Sequence, residues 1–204
     1  MSLPGQYRRR ATPVMGVMFL STVTLVTLMG CPSSGGGGGV TIPTSDASPP
    51  GLTLGFALQG ANGVSGTATV GGQTQTLTLP QKTGNLNLLA TATDQESGIL
   101  SVGIFMEADV VRCPFHSPCT GNPNHGLWST PTFVLNSPKK NPGESTSPSG
   151  ILAQAVDLST LITAKPTNPG DKVTTTIWLM AQAQNQLNGT SQTAEAKVEF
   201  SETK

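Results

Sequence analysis

Alternation of apolar and polar side chains dominates the chain beyond residue 50. Leu52, Leu54, Phe56 and Leu58 alternate with Thr53, Gly55 and Ala57, and Thr74, Thr76 and Thr78 alternate with Gln75, Leu77 and Leu79. Similar runs recur at Leu86–Thr93 (LNLLATAT), Ile99–Glu107 (ILSVGIFME), Thr132–Asn136 (TFVLN), Ile151–Leu158 (ILAQAVDL), Lys172–Ala183 (KVTTTIWLMAQA) and Thr193–Phe200 (TAEAKVEF). Successive side chains of a strand point to opposite faces, so a period of two reads as a half-buried strand. Gly, Pro, Asn and Asp clusters separate the runs. The pattern predicts an all-β fold, an antiparallel sandwich of about seven or eight strands over residues 51–204. The Ala-rich stretch Leu152–Leu161 also allows a helical turn.

Ahead of residue 51 the alternation stops. Residues 1–30 begin with Arg8, Arg9 and Arg10 and no acid, continue through apolar Val14–Met29 and end at Gly30. A positive start, an apolar centre and a small residue before a cut describe a signal peptide. The other reading, an uncleaved spanning helix, needs about 20 predominantly apolar residues, which this stretch reaches only with its Ser, Thr and Gly interruptions included. Leu28-Met29-Gly30-Cys31 resembles the lipobox of bacterial lipoproteins. That resemblance implies that Cys31 becomes the acylated first residue of the mature chain. Each acyl methylene adds about 0.8 kcal/mol of membrane partitioning, so several chains hold a soluble domain durably. Pro32 follows Cys31 where Asp would favour inner-membrane retention, which implies the outer membrane, on its periplasmic or surface face. Residues 31–50, with Gly35–Gly39, Pro43, Pro49 and Pro50, have the composition of a flexible Gly/Ser/Pro tether.

Charge narrows the partners. Of eleven basic residues, three precede residue 11, leaving eight against eleven acids and a mature chain near −3. With no basic stripe to release counterions, a nucleic-acid partner is not expected. Within the strand-rich part, LLATATDQESGILSVGIF and IWLMAQAQNQLNGTSQTAEAKVEF resemble bacterial Ig-like and fibronectin type III-like modules. The resemblance, over Asn85–Glu202, implies an Ig-like β-sandwich. Leu88, Ala90 and Ala92 would form the inward face of one strand, and Ile99, Val102 and Ile104 that of the next. Ile177–Ala183 and Ala194–Phe200 would form the last two strands. Ile99 and Val102 differ in parity, so both face inward only across a bulge. The chain departs from the pattern at Gln184, where such modules often carry an acid, and in lacking a tyrosine corner, its single Tyr being Tyr7.

The candidate chemistry gathers in the insert Arg112–Trp128, RCPFHSPCTGNPNHGLW. With Cys31 lipidated, Cys113 and Cys119 remain as an even pair in an oxidising compartment, the arithmetic of a disulfide. His116 and His125 are the only histidines. An alternative site of Cys113, His116, Cys119 and His125 has donors for zinc or copper, although its spacing is not a standard one. Phe115 and Trp128 are candidate binding side chains, with core packing the other role open to either ring. The long loop Ser137–Gly150 is expected to share their recognition surface. Asp94 and Glu96 offer oxygens to calcium but have no Asp-rich partner loop.

Catalysis has a thin inventory. A Ser-His-acid triad must use His116 or His125, and no Gly-x-Ser-x-Gly elbow exists. Ser137-Pro138-Lys139-Lys140 matches Ser-x-x-Lys outside any helical pattern, and Asp94 with Asp157 stays open as a carboxylate pair. The expected function is a non-catalytic, lipid-anchored cell-envelope protein carrying an Ig-like binding, adhesion or scaffold module. It would have no cofactor and a protein or glycan partner. The alternative is a zinc- or copper-binding envelope lipoprotein using the Cys113–His125 loop.

Overall fold

A computed structural model describes residues 39–45, 48–60, 64–121, 128 and 130–204. Among these, β1 (Val40–Thr41), β2 (Gly51–Leu58), β3 (Ser65–Thr69) and β4 (Gln75–Thr78) come first. They are followed by β5 (Asn85–Thr93), β6 (Ile99–Cys113), β7 (Phe133–Asn136), β8 (Ser145–Thr146) and β9 (Ser149–Asp157). A single helical turn α1 (Leu158–Leu161) precedes β10 (Lys172–Asn185), β11 (Thr190–Gln192) and β12 (Ala196–Thr203). One sheet has the order β3-β2-β5-β9; the other has β4-β12-β10-β6-β7, with β11 on β10, and β1 pairs with β8 as a separate ribbon. The fold is an all-β sandwich of packed, largely antiparallel sheets, and residues 52–79 belong to it. The cysteine of the lipobox-like segment, Cys31, lies outside the described residues with the whole of 1–38, as does His125.

Period-two patterning builds the core directly. Leu52, Leu54, Phe56 and Leu58 of β2 and Leu86, Leu88, Ala90 and Ala92 of β5 are buried from one side. Ile104 of β6, Ile177, Leu179 and Ala181 of β10 and Val198 of β12 meet them from the other. Removing apolar surface from water at roughly 25 cal/mol per Å² drives this apposition. Ile99 and Val102 are both buried, and the bulge their parity requires is present: Gln184 pairs with Ser101 and Asn185 with Ile99, leaving Leu100 without a counterpart. The helical turn is capped by Asp157, whose Oδ1 accepts from Ser159 N at 2.9 Å.

Two features depart from the sequence reading. β4 runs parallel to β12, Gln75–Thr78 beside Ala196–Glu199. β4 follows β3, the edge strand of the other sheet, so a crossing between sheets rather than a hairpin sets its direction. The folded unit also begins ahead of residue 51. Val40 and Thr41 pair with Thr146 and Ser145, and Ile42 is buried, donating to Glu144 O at 3.0 Å and accepting from Gly143 N at 2.8 Å. Composition averaged over a Gly- and Pro-rich segment conceals one isoleucine that has a place in the fold.

Leu179 has no exposed surface, whereas Leu89, on the outer face of β5, is 46% exposed. Leu179→Ala is expected to cost about 2–5 kcal/mol in urea unfolding, and Leu89→Ala no more than about 0.5 kcal/mol. Equal losses at the two positions would contradict this assignment of faces.

Candidate functional site

The insert is mounted on the far end of β6. That strand continues beyond Glu107 to Cys113, which pairs with Lys172 at the start of β10. Arg112 and Thr120 exchange backbone hydrogen bonds of 2.7 Å in both directions, closing the chain between them into a tight reversal. Cys113 and Cys119 form a disulfide across it, with Cα atoms 4.0 Å apart. His116 sits at φ 65°, in the left-handed region that few non-glycine residues adopt.

Asp171 ties this hairpin to the segment before β10. Its Oδ1 accepts from Phe115 N at 3.0 Å, while Oδ2 accepts from Asn168 N at 2.9 Å, Asn168 Nδ2 at 3.1 Å and Thr167 Oγ1 at 3.3 Å. The hydrogen bond from Phe115 N–H, then that from Asn168 N–H, holds the Asp171 carboxyl below its ordinary value of 3.8. Arg112 Nη1 adds a bond to Lys165 O at 3.2 Å. The Phe115 ring lies over Gly170, where a Cβ would come within 2.8 Å of it and where φ is +86°. Glycine is therefore required there on both counts. The ring is nevertheless 61% exposed and stands beside His116 with centroids 3.8 Å apart. Beneath the hairpin a pocket of about 100 Å³, lined by Arg112, Pro114, Thr120, Pro166, Thr167 and Asp171 among others, is smaller than the roughly 300 Å³ at which small-molecule sites begin.

Trp128 lies elsewhere. Its ring meets Phe105 at 5.9 Å and 60°, and its Nε1 donates to Glu195 Oε1 at 3.2 Å. Phe105, Trp178 and Met180 alternate with the core residues of β6 and β10 and so face away from the core, yet all are buried. Trp128 thus packs on Phe105 on the outside of this sheet. Phe105 precedes Cys113 by eight positions, about 26 Å of strand, so the two aromatic candidates are not brought together. Trp128 is a packing residue, and the hairpin retains Phe115.

The loop Ser137–Gly150 belongs to the opposite end of β6, on the order of 40 Å from the hairpin by strand length. Ser137 N donates to Leu100 O at 2.7 Å. The fully buried Gln186 donates from Nε2 to Pro138 O at 3.1 Å and accepts at Oε1 from Lys140 N at 3.0 Å. Lys139 Nζ bonds Gln186 O, and Lys140 Nζ bonds Ser145 O, so both ammonium groups of the Ser-x-x-Lys match are engaged by backbone carbonyls. The hairpin half of the insert and the loop therefore sit at opposite ends of β6, while Trp128, over Phe105, lies between them.

The same end holds Asp94. Its Oδ1 accepts from Glu96 N at 3.0 Å and Ser97 N at 2.8 Å, and its Oδ2 from Asn185 Nδ2 at 3.0 Å. These donors occupy the carboxylate that calcium would need. Asp157, which pairs with Asn85 at the start of β5, is about 30 Å of strand from Asp94, too far for paired acid–base chemistry. Sequence reading missed Asn185 and Gln186, both 0% exposed; their one signal is two carboxamides closing a strand pattern at the turn Asn185–Gly189. Among the described residues no three His, Cys, Asp or Glu side chains converge as metal ligands. In the alternative metal set, the two sulfurs are bonded to each other. Compared with family models, curated proteins and solved structures, the chain matches none of them.

Breaking the cross-link by Cys113→Ser with Cys119→Ser is expected to lower stability by roughly 2–3 kcal/mol, read by thermal or urea unfolding against the parent under non-reducing conditions. The Asp171 carboxyl sits low, so its contribution is complete above pH 3.8 and is lost as pH falls through the depressed folded value. The Phe115 amide proton should therefore titrate with a midpoint below 3.8 in NMR, and Asp171→Asn should remove that titration. A midpoint at or above 3.8 would show that the tether does not form.

Proposed function

We propose that this chain is a non-catalytic, lipid-anchored protein of the cell envelope whose Ig-like sandwich displays the Cys113–Cys119 hairpin as a binding element. The observation that carries the reading is Phe115. A large apolar ring, 61% exposed, stands on a reversal that is cross-linked, closed by backbone bonds and anchored at Asp171. A loop so constrained has little conformational entropy left to lose on binding, and loops at the ends of rigid sandwiches commonly carry recognition. A protein or glycan surface fits such an element better than a small molecule does. The resemblance of Leu28–Cys31 to a lipobox supports a membrane anchor for the module, and Pro32 after the cysteine supports the outer membrane. The metal-handling alternative would require the disulfide to be reduced before either sulfur became a thiolate ligand.

Intact mass of the membrane-extracted protein, without reductant and under native and denaturing conditions, tests this reading. The expected result is a chain starting at acylated Cys31, lighter by the two hydrogens of the oxidised pair and free of metal. Full-weight thiols carrying zinc or copper would move the function to Cys113, His116, Cys119 and His125. An intact, unacylated N-terminus would remove the anchor from the proposal.

A further inference from the structure

The two sheets treat their outer faces differently. The outer face of the second sheet carries Trp128 over Phe105 and a charged row that includes Glu107, Lys197 and Glu199, with Lys197 Nζ 4.2 Å from the Trp178 ring centroid. The outer face of β3-β2-β5-β9 presents Thr53, Thr67, Thr69, Leu89, Thr91 and Ile151, with small residues between them. Its one charge is Asp157, at a corner. Ile151 is 60% exposed and Leu89 46%, and they are diagonal neighbours, because Leu89 pairs with Ala153 and Ile151 with Thr91.

This face ends at β9, an edge with none of the usual protections. Edge strands are commonly shortened, charged, bulged or interrupted by proline, because their unpaired backbone groups template further pairing. The edges β4 and β7 have four residues each and β3 has five. β9 has nine residues in unbroken register with β5, contains no Pro, and carries no charge before its last residue. Between Gly150 and Val156 its hydrogen-bonding partner among the described residues is β5 alone.

We propose that β9 is the docking edge for a second copy of this chain, pairing antiparallel with its own counterpart to join two four-stranded sheets into one of eight. The pattern of the strand is self-complementary, which an isologous two-fold contact requires. Ala153 is the midpoint of Ser149–Asp157, so all nine residues pair only in the register centred on it. In that register Ala153 meets Ala153 of the second copy with minimal bulk on the axis. Ile151 falls opposite Ala155, which covers an exposed side chain with a methyl group. Ser149 falls opposite Asp157, and the two Asp157 carboxylates stand at opposite corners, about 26 Å apart along the strands. No like charges meet. A foreign strand would instead draw specificity from pockets for alternate side chains, which the small Ala153 and Ala155 along the outward row of β9 do not form.

Cysteine cross-linking of the full chain in detergent, with the parent chain as background, tests both the pairing and its register. Under mild oxidation Ala153→Cys should give a disulfide-linked dimer. Ile151→Cys should not, because its two copies would lie about 13 Å apart along the strands, beyond the roughly 7 Å Cα reach of a disulfide. Sedimentation of the parent chain should show a mass that doubles with concentration, and Ala153→Lys, which sets two ammonium groups on the axis, should return it to the monomer. A parent chain that stays monomeric at high micromolar concentration would overturn the proposal. So would cross-linking through Ile151→Cys as readily as through Ala153→Cys.

Discussion

The ladder between β6 and β10 is the interaction on which the rest of the molecule depends. It runs from Cys113 opposite Lys172 to Ile99 opposite Asn185, and both ends of the sandwich hang from it. Its inward side chains, among them Val102, Ile104, Ile177, Leu179 and Ala181, supply the core from the second sheet. The partners are far apart in sequence, and the chain between them gives β7 to the same sheet and β9 to the other. Such long-range pairing is costly in loop entropy and rewards the chain only once the apolar faces meet.

Polar groups finish what the ladder starts, differently at its two ends. At the Asn185 end, carboxamides and the Asp94 carboxylate take their hydrogen bonds from turns and from one another. A buried polar cluster of this kind specifies one arrangement of loops, because any other leaves desolvated groups without partners. At the Cys113 end a covalent link and one aspartate do the equivalent work on an exposed hairpin. The first arrangement turns its polarity inward and leaves little to bind; the second holds its backbone still and turns an aromatic ring outward. Rigidity at both ends thus has different consequences for recognition.

The faces repeat that contrast. Trp128 and a row of charges dress the outside of the β10 sheet, and the outer face of the other sheet is almost uncharged up to an undefended edge. Under the proposed anchoring, copies of this surface would meet at high local concentration, a setting that favours pairing through a self-complementary edge. The hairpin extends from β6 in one sheet, and the edge β9 belongs to the other.

Local chemistry determined much of this protein from sequence alone. Alternation of side chains predicts the strands, because the two-residue repeat of a pleated chain is a property of the backbone. Parity of Ile99 against Val102 demands the bulge, and an even cysteine pair seven residues from end to end predicts the disulfide. Tertiary structure decided whatever depended on distance between residues remote in the chain. It placed Trp128 on Phe105 rather than beside Phe115, sent the Ser137–Gly150 loop to the opposite end from the hairpin, and ran β4 parallel to β12. It also folded Ile42 under a loop a hundred residues away and buried Asn185 and Gln186, whose amides look like turn residues until their partners arrive. A sequence records which side of a strand each residue occupies, but register, sheet order and crossings between sheets set which sides meet, and those arise only when the whole apolar surface is buried at once.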